Sequence, residues 1–407
     1  MSSLQSKPGV GALTQLQMQG TQDEFIYDLR PGAETRFNQP WLQSTNHEIV
    51  QKVVPVDLTL GSTVKVVVPR RGDLLGNLSL SISLPVVPGA GINDFWREKI
   101  GYILLKKLRL VLNDVELDTS ERLWLALHDD LHLKQGMRDG VAEMVGTSGL
   151  RVSQQHVVVV PLKLFCCYRP GKRQTFMPLL SSTGQNSLVL EIETETFQNA
   201  VTSYAGISPP QQLNCELIVD YVTLSEMERT QFLHQQTPLL CEVSQDCEGK
   251  SFRETIDDQG GDTVIATDVV QVDLSEVNMP VKYIAFVAYS TNAIEERRYF
   301  QYEDVIDTVQ LKMDGWDRTE RLDSQHFGLL QTFFHTPNCI PDRVFVYSFA
   351  LDASHADQNG FFTFSHVRRP ILYITLKEKR DDIVVKAFVL GYRWIDFKDG
   401  DAQIRFL

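Results

Sequence analysis

Residues Asn77–Pro85 read NLSLSISLP, and the alternation in those nine letters decides the fold class. Leu78, Leu80, Ile82 and Leu84 fall on one side of an extended chain, and Asn77, Ser79, Ser81 and Ser83 on the other. Successive side chains of a strand point to opposite faces, so this period of two describes a strand with one buried face. STVKVVVP (Ser62–Pro69) precedes it and ends on a proline. VKYIAFVAYS (Val281–Ser290), DTVQLKMDG (Asp307–Gly315) and RVFVYSFALD (Arg343–Asp352) are read the same way. Many short strands broken by Gly, Pro, Asn and Asp point to β-sandwiches. A doubly wound α/β fold needs a helix between successive parallel strands, and most connections here are too polar and irregular for that.

Two helices are expected. SERLWLALHDDLHL (Ser120–Leu133) sets Leu123, Trp124, Leu127 and Leu131 at helical spacing. TLSEMERTQFLHQQ (Thr223–Gln236) begins with Ser225 and Glu228, a capping-box pair, and Pro238 follows it.

The strand pattern occurs twice. LRLVLNDVELDTSERLW starts at Leu108 and VQLKMDGWDRTERLDSQHF at Val309. Each is an alternating strand, a turn dipeptide (Asn113-Asp114 or Asp314-Gly315) and a charged segment leading to an aromatic. A proline-marked aromatic strand follows in each half, PLKLFCCYRPG or RVFVYSFALD. A long apolar strand comes next, NSLVLEIETE or PILYITLKEK, and a closing strand ends each half, CELIVDYVTL or VKAFVLGYRW. Repeats this long imply tandem domains of similar plan rather than a solenoid.

Composition bounds the function. The 407 residues suffice for two cores, and 43% of them are hydrophobic. A formal charge of −13 argues against a general nucleic-acid binder, which needs a basic face to release counterions. Cys166, Cys167, Cys215, Cys241, Cys247 and Cys339 contain no CxxC pair and are read as reduced thiols of a cytosolic setting. MSSLQSKPGVGALTQ has no apolar run, so no secretory leader is expected, and no stretch approaches the roughly 20 apolar residues of a membrane helix.

The chemistry-bearing motifs fail one by one. His128 and His132 stand at i and i+4 but lack a Glu in the HExxH position and a third ligand, so they are read as solvated residues of an amphipathic helix. A double cupin would carry an HxH pair, and none of the nine histidines forms one. Gly249-Lys250-Ser251 ends like a phosphate loop, but the required first glycine falls on Ser244. No GxSxG occurs, and no cysteine has a motif-level partner histidine. Arg71-Gly72-Asp73 is read as ordinary turn chemistry between two strands. Asn77-Leu78-Ser79 is a glycosylation sequon without a secretory route. No catalytic, cofactor-binding or metal residue is assigned, no cofactor is expected, and the chain is read as not an enzyme.

An ordered series of blocks resembles the major capsid proteins of the double-jelly-roll lineage, the family of nucleocytoplasmic large DNA viruses and virophages. GALTQLQMQGTQDEFIYDLRPGAETRF (Gly11–Phe37) is similar to the family's opening. PRRGDLLGNLSLSISLP resembles its Arg-x-Gly-Asp-Leu strand entry, and LIVDYVTLSEMERTQF the Asp-Tyr, Glu-Arg signature that closes its first jelly roll. VIDTVQLKMDGWDR resembles the strand and Asp-Gly turn of its second. YSFALDASHADQNGFFTFSHVRRPILYITL is similar to its C-terminal motif, with His366 and Val367 where the family has Arg and Ile.

The resemblance implies an all-β chain of two tandem eight-stranded antiparallel jelly-roll β-sandwiches, with a few short helices in loops and linker. The expected division is an N-terminal arm over 1–24, a first jelly roll over 25–222, a linker helix over 223–236 and a second jelly roll over 237–407. FFTF and ILYITL become core strands of the second jelly roll, with Arg368-Arg369-Pro370 as the turn between them. Met1–Gln19 lacks the apolar surface to offset its ordering entropy alone and is expected to take a fixed place only beneath an assembled capsomer.

The implied function is that of a major capsid protein. It would form a homotrimer, a pseudo-hexameric capsomer that tiles an icosahedral shell around double-stranded DNA. The implied partners are neighbouring capsomers, a separate penton protein at the vertices, and minor or cement proteins. The resemblance leaves room for an internal membrane beneath the shell and calls for no specific nucleic acid. The protein would be synthesised and assembled inside the host cell and end in the virion. The alternatives are a minor capsid protein of the same fold, or a carbohydrate-active or carbohydrate-binding protein on two jelly rolls.

Overall fold

The computed structural model describes residues 46–169, 174–179, 188–202, 208–234, 238–251, 253–258, 261–266, 268–338, 343–355, 358–398 and 401–405. The expected arm over 1–24, the Gly11–Phe37 block and Cys339 lie outside the described residues. Every described strand belongs to one compact unit, His47–Leu407.

The first half of that unit runs through β1 (His47–Thr59), β2 (Thr63–Val68), β3 (Leu74–Leu84), β4 (Leu105–Leu112), β5 (Val115–Glu121), β6 (His156–Pro161), β7 (Met177–Pro178), β8 (Leu188–Thr194) and β9 (Gln212–Leu224). One sheet has the order β1-β9-β3-β6, with β7 beside β3, and the other β2-β8-β4-β5. The first strand pairs with the last and the second with the last but one, so the chain folds as a long antiparallel ribbon rolled into two layers. That is a jelly roll.

The second half runs through β10 (Leu239–Lys250), the hairpin β11 (Arg253–Asp258) and β12 (Gly261–Ala266), β13 (Val269–Asp273), β14 (Pro280–Ser290), β15 (Ile306–Met313), β16 (Trp316–Asp317), β17 (Leu322–Asp323), β18 (Val344–Ser348), β19 (Phe362–Thr363), β20 (Pro370–Leu376), β21 (Ile383–Lys398) and β22 (Asp401–Arg405). Its sheets are β10-β21-β14-β18 and β13-β20-β15-β16. Exchanging β1, β2, β3, β4, β5, β6, β8 and β9 for β10, β13, β14, β15, β16, β18, β20 and β21 turns the first pair of sheet orders into the second. The two halves are one topology written twice.

Local chemistry explains the strands. On β3 the Leu78, Leu80, Ile82 and Leu84 side chains are buried and the serines between them half-buried. The equivalent turns Asn113-Asp114 and Asp314-Gly315 both hold positive φ at both residues, 46° and 66° in one and 53° and 84° in the other. That is the backbone twist that suits a two-residue hairpin, and Asn, Asp and Gly tolerate it best. The Glu226–His234 helix follows Ser225 as its cap, with Glu228 N–H donating to Ser225 Oγ at 3.4 Å.

Three expectations are corrected. PLKLFCCYRPG is not the strand; the ladder belongs to the valine run just upstream, β6, and closes at Pro161. Leu162, Leu164, Phe165, Cys166 and Cys167 are buried in the connection after it, where proline ends the pairing and apolar side chains still fill the barrel end. FFTF is not a core strand either. It gives the two residues of β19 and then a 3-10 turn at Phe364–His366. Phe349, Phe362 and Phe364 pack on one another with ring centroids 5.5–5.9 Å apart, and this cluster replaces ladder pairing. Finally, β14 shows no alternation; it is buried along nearly all its length because a helix from the first barrel covers its outer face.

The barrels stand side by side in the same orientation. Near one end Lys386 on β21 is ion-paired with Glu121 at the close of β5. Midway, Arg393 Nη1 donates to the Leu117 carbonyl at 3.2 Å. At the other end Asn113 Nδ2 donates to Asp401 Oδ1 at 2.6 Å. The β4–β5 and β15–β16 hairpins therefore share one end of the molecule, the turn end. The connections carrying the Ile100–Leu104, Arg122–His132, Gln135–Val145 and Thr291–Glu295 helices leave from the opposite ends of their strands.

Candidate functional site

The Arg122–His132 helix is the joint between the barrels. Its Leu123, Trp124, Leu127 and Leu131 pack against Tyr283, Ala285 and Val287 of β14, Val344 and Val346 of β18, and Phe388 and Leu390 of β21. The Trp124 and Phe388 rings lie 5.4 Å apart. The periodicity seen in the sequence is real, and the surface it faces is the other barrel's sheet.

This overturns the reading of His128 and His132 as solvated. They are 1% and 2% exposed. Their ring centroids are 4.7 Å apart, and His132 Nε2 is 2.7 Å from Tyr283 Oη. A helix covered on both sides places its polar positions indoors too, and helical spacing alone carries no signal of that. No group of three or more His, Cys, Asp or Glu suited to a metal occurs among the described residues. A strong chelator is expected to leave the melting temperature unchanged, because removal of a structural metal would remove folding free energy directly; a drop of several degrees in a thermal scan would contradict this.

Among the buried polar groups that flank the joint, Asp129, Lys163, Arg169 and Lys282 are paired, as burial requires. Asp129 forms an ion pair with Lys163 and accepts a hydrogen bond from Tyr102 Oη. Lys163 Nζ also donates to Tyr102 Oη at 3.2 Å. Burial pulls the Lys163 ammonium below the usual lysine range, against the opposing attraction of Asp129. Across the junction Arg169 donates to the Glu242 carbonyl at 3.0 Å, and Lys282 Nζ lies 3.0 Å from Glu242 Oε1.

Asp118, which accepts the Phe165 N–H at 2.7 Å and the Thr119 N–H at 2.9 Å, is pushed up to about 6, chiefly by burial. A raised carboxylate pKa favours the protonated form in the folded state. Its stabilising contribution is full below 3.8, the ordinary value, and is lost as pH rises through about 6. The unfolding free energy of Asp118→Asn relative to the parent should therefore change between those two pH values and run parallel above them. Parallel curves across the whole range, by urea titration, would rule this out.

The remaining sequence motifs are structural. Asp73 of Arg71-Gly72-Asp73 is buried, accepts the Leu224 N–H at 2.8 Å and lies 3.4 Å from Arg229 Nε. Its neighbour Gly72 sits where a Cβ would fall 2.8 Å from Tyr221 Cβ, so glycine is required by close approach. Asn77 of the sequon donates to Asp220 Oδ2 at 2.8 Å and accepts the Tyr168 N–H at 2.7 Å. Gly249 and Lys250 belong to β10, and Ser251 Oγ donates to the Ile383 carbonyl. Cys166, Cys167, Cys215, Cys241 and Cys247 are buried free thiols.

An exposed apolar cluster lies on the flank of the second barrel. A π-helical turn at His326–Leu330 runs into the Gln331–His335 helix. Phe327 anchors this segment, with ring centroids 6.2 Å from Phe286 and 6.3 Å from Tyr347. The opposite side carries Leu329, Leu330, Phe333 and Phe334; the two phenylalanines are 69% and 59% exposed. Exposed Leu351 adjoins them, its carbonyl 2.9 Å from His335 Nδ1. A shallow depression of about 550 Å³ is lined by Asp323, Gln325, His326, Leu329, Leu330 and Phe333. No sequence expectation singles out this ridge, although apolar pairs at 329–330 and 333–334 are a helical signal that points to it. Contiguous exposed apolar surface of this kind marks an interaction site.

Known proteins share this architecture. The family described as the major capsid protein N-terminus matches residues 35–225. The major capsid protein of Paramecium bursaria Chlorella virus 1 is 22% identical over 414 residues, covering 94% of this chain and 91% of that protein. The major capsid protein of Pyramimonas orientalis virus is 22% identical, covering 96% and 98%. Among solved structures, a chain of the PBCV-1 virus capsid superposes with a TM-score of 0.73 at 19% identity, covering 92% of this chain and 100% of that one. The Faustovirus major capsid protein superposes with a TM-score of 0.66 at 11% identity, covering 95% and 96%. With the jelly-roll order repeated twice and these likenesses running along nearly its whole length, the chain belongs to the double-jelly-roll lineage of viral major capsid proteins, structural proteins of the virion shell.

Proposed function

We propose that the chain assembles as a homotrimer, a capsomer whose six barrels make a pseudo-hexagonal tile of an icosahedral shell. The observation that carries this reading is the pair of identical jelly-roll orders locked side by side in one orientation. Two like barrels per chain give near six-fold outlines around a three-fold axis. A closed ring of this kind uses heterologous contacts, in which each subunit buries two different flanks. The Phe333–Phe334 ridge is assigned to one flank. The outward face of β1, with exposed Ile49 and Val53, is assigned to the other.

The helix-bearing ends would face outward, where loops vary without disturbing the shell. Neighbouring capsomers, a separate vertex protein and minor or cement proteins are the proposed partners, since hexagonal tiles alone do not close a shell around its DNA. The proposed division keeps an arm over 1–24, jelly rolls over 25–222 and 237–407, and the linker over 223–236. A non-enzymatic role fits the pairing of Asp129 with Lys163 and of Glu242 with Arg169 and Lys282 around the joint. Light scattering should give the mass of three chains at moderate salt, and negative-stain images a pseudo-hexagonal outline. A chain that stays monomeric at high concentration would refute the proposal.

A further inference from the structure

The turn end of the second barrel carries a feature that capsomer contacts between flanks leave unused. The β15–β16 turn holds Asp314 and Gly315 at positive φ and presents Trp316, which is 81% exposed. Beside it runs the Arg368-Arg369 bridge that leads into β20. Asp314 Oδ1 accepts the N–H of Arg368 at 2.7 Å and of Arg369 at 3.2 Å, and Asp314 N–H donates to the Arg369 carbonyl at 3.4 Å. One carboxylate thus laces two loops into a single platform. The Asp314 charge is spent on backbone N–H groups, while Arg368 and Arg369 are exposed and neither is ion-paired to a carboxylate among the described residues. Exposed Arg318 stands over the Phe362 ring at 5.4 Å. Residues 312–321 and 368–369 hold five cations (Lys312, Arg318, Arg321, Arg368, Arg369) and three carboxylates (Asp314, Asp317, Glu320); with Asp273, in register beside Ile371, the local charge is +1 on a chain of −13.

We propose that this platform is a membrane-facing surface, in which Trp316 inserts at the headgroup level of an anionic phospholipid layer and Arg368 and Arg369 bind its phosphates. The indole is the side chain that sits best at such an interface, with an apolar body and a single N–H donor. Guanidinium forks match phosphate oxygens, and juxtaposed cations are drawn to anionic lipid within a Debye length. An acidic peptide would satisfy the arginines but would leave a fully presented indole without purpose. The strong negative charge elsewhere would repel the same surface, so this one patch would also fix the orientation of the subunit on it.

The test is flotation of the full-length protein with phosphatidylcholine vesicles, with and without about 30% phosphatidylglycerol. Binding is expected only with the anionic lipid, and it should weaken as salt is raised. Arg368→Glu/Arg369→Glu should reduce it by about tenfold or more and Trp316→Ala by several-fold, with circular dichroism and solution mass unchanged. All three positions are exposed, so folding is not at stake. Vesicle binding that is absent, or that survives both variants, would overturn the proposal. So would polyglutamate that binds equally well and displaces the vesicles, which would assign the platform to an acidic protein. None of these outcomes depends on trimer formation.

Discussion

Replacing Phe333 and Phe334 together by aspartate is expected to yield a folded chain that no longer trimerises. In the isolated subunit both rings already stand in water, so the exchange removes little packing. Surface substitutions of this kind usually change stability by about 0.5 kcal/mol or less. At the centre of a subunit contact the balance is different. Losing an aromatic anchor there costs about 2 kcal/mol or more, and an unpaired buried carboxylate costs several kcal/mol besides. Three-fold symmetry repeats the lesion at every interface, which is ample to dissociate an assembly of ordinary affinity. Light scattering should report one chain where the parent reports three, with a melting temperature close to that of the parent monomer. Gln325→Asp, at the rim of the same depression, should have a much smaller effect. A double variant that remains trimeric would remove the ridge from the interface.

How much of the fold is legible in the sequence depends on how many faces of each element meet water. Strands with one wet face, such as β3 and β8, announce themselves through alternation. The two hairpin turns are legible because positive φ at consecutive residues restricts the sequence to a few side chains. β14 hides its pairing behind uniform apolarity, since its outer face is sealed by a helix from the other barrel. The buried run Leu162–Cys167 imitates a strand for a related reason: burial, not extension, selects its residues. His128 and His132 look solvated in the sequence because a sequence carries the period of a helix but not its second neighbour. That neighbour, Tyr283, comes from a different domain, and no local pattern near His132 encodes it.

The same joint sets the second large effect, that of Trp124→Ala. Trp124 is fully buried, with its ring 5.4 Å from Phe388 and 5.7 Å from His128. Truncating a core aromatic to alanine typically costs about 3–5 kcal/mol, from lost transfer free energy and the cavity left behind. Here the cavity opens between the two barrels, so the loss should also weaken their cooperation. Calorimetry is expected to show a lowered and broadened transition in which the barrels begin to unfold separately. The exposed Trp316 supplies the control, because its replacement by alanine removes an aromatic of equal size at almost no cost. The paired charges beneath the helix extend the argument. Lys163→Met strands the Asp129 carboxylate in the interior and should cost about 3–5 kcal/mol, whereas adding Asp129→Asn to it should recover part of the loss. If Trp124→Ala melts with the parent and the double variant is no better than Lys163→Met alone, the helix is not the seat of the joint. The common orientation of the barrels would then have to rest on the edge contacts Lys386–Glu121, Arg393–Leu117 and Asn113–Asp401.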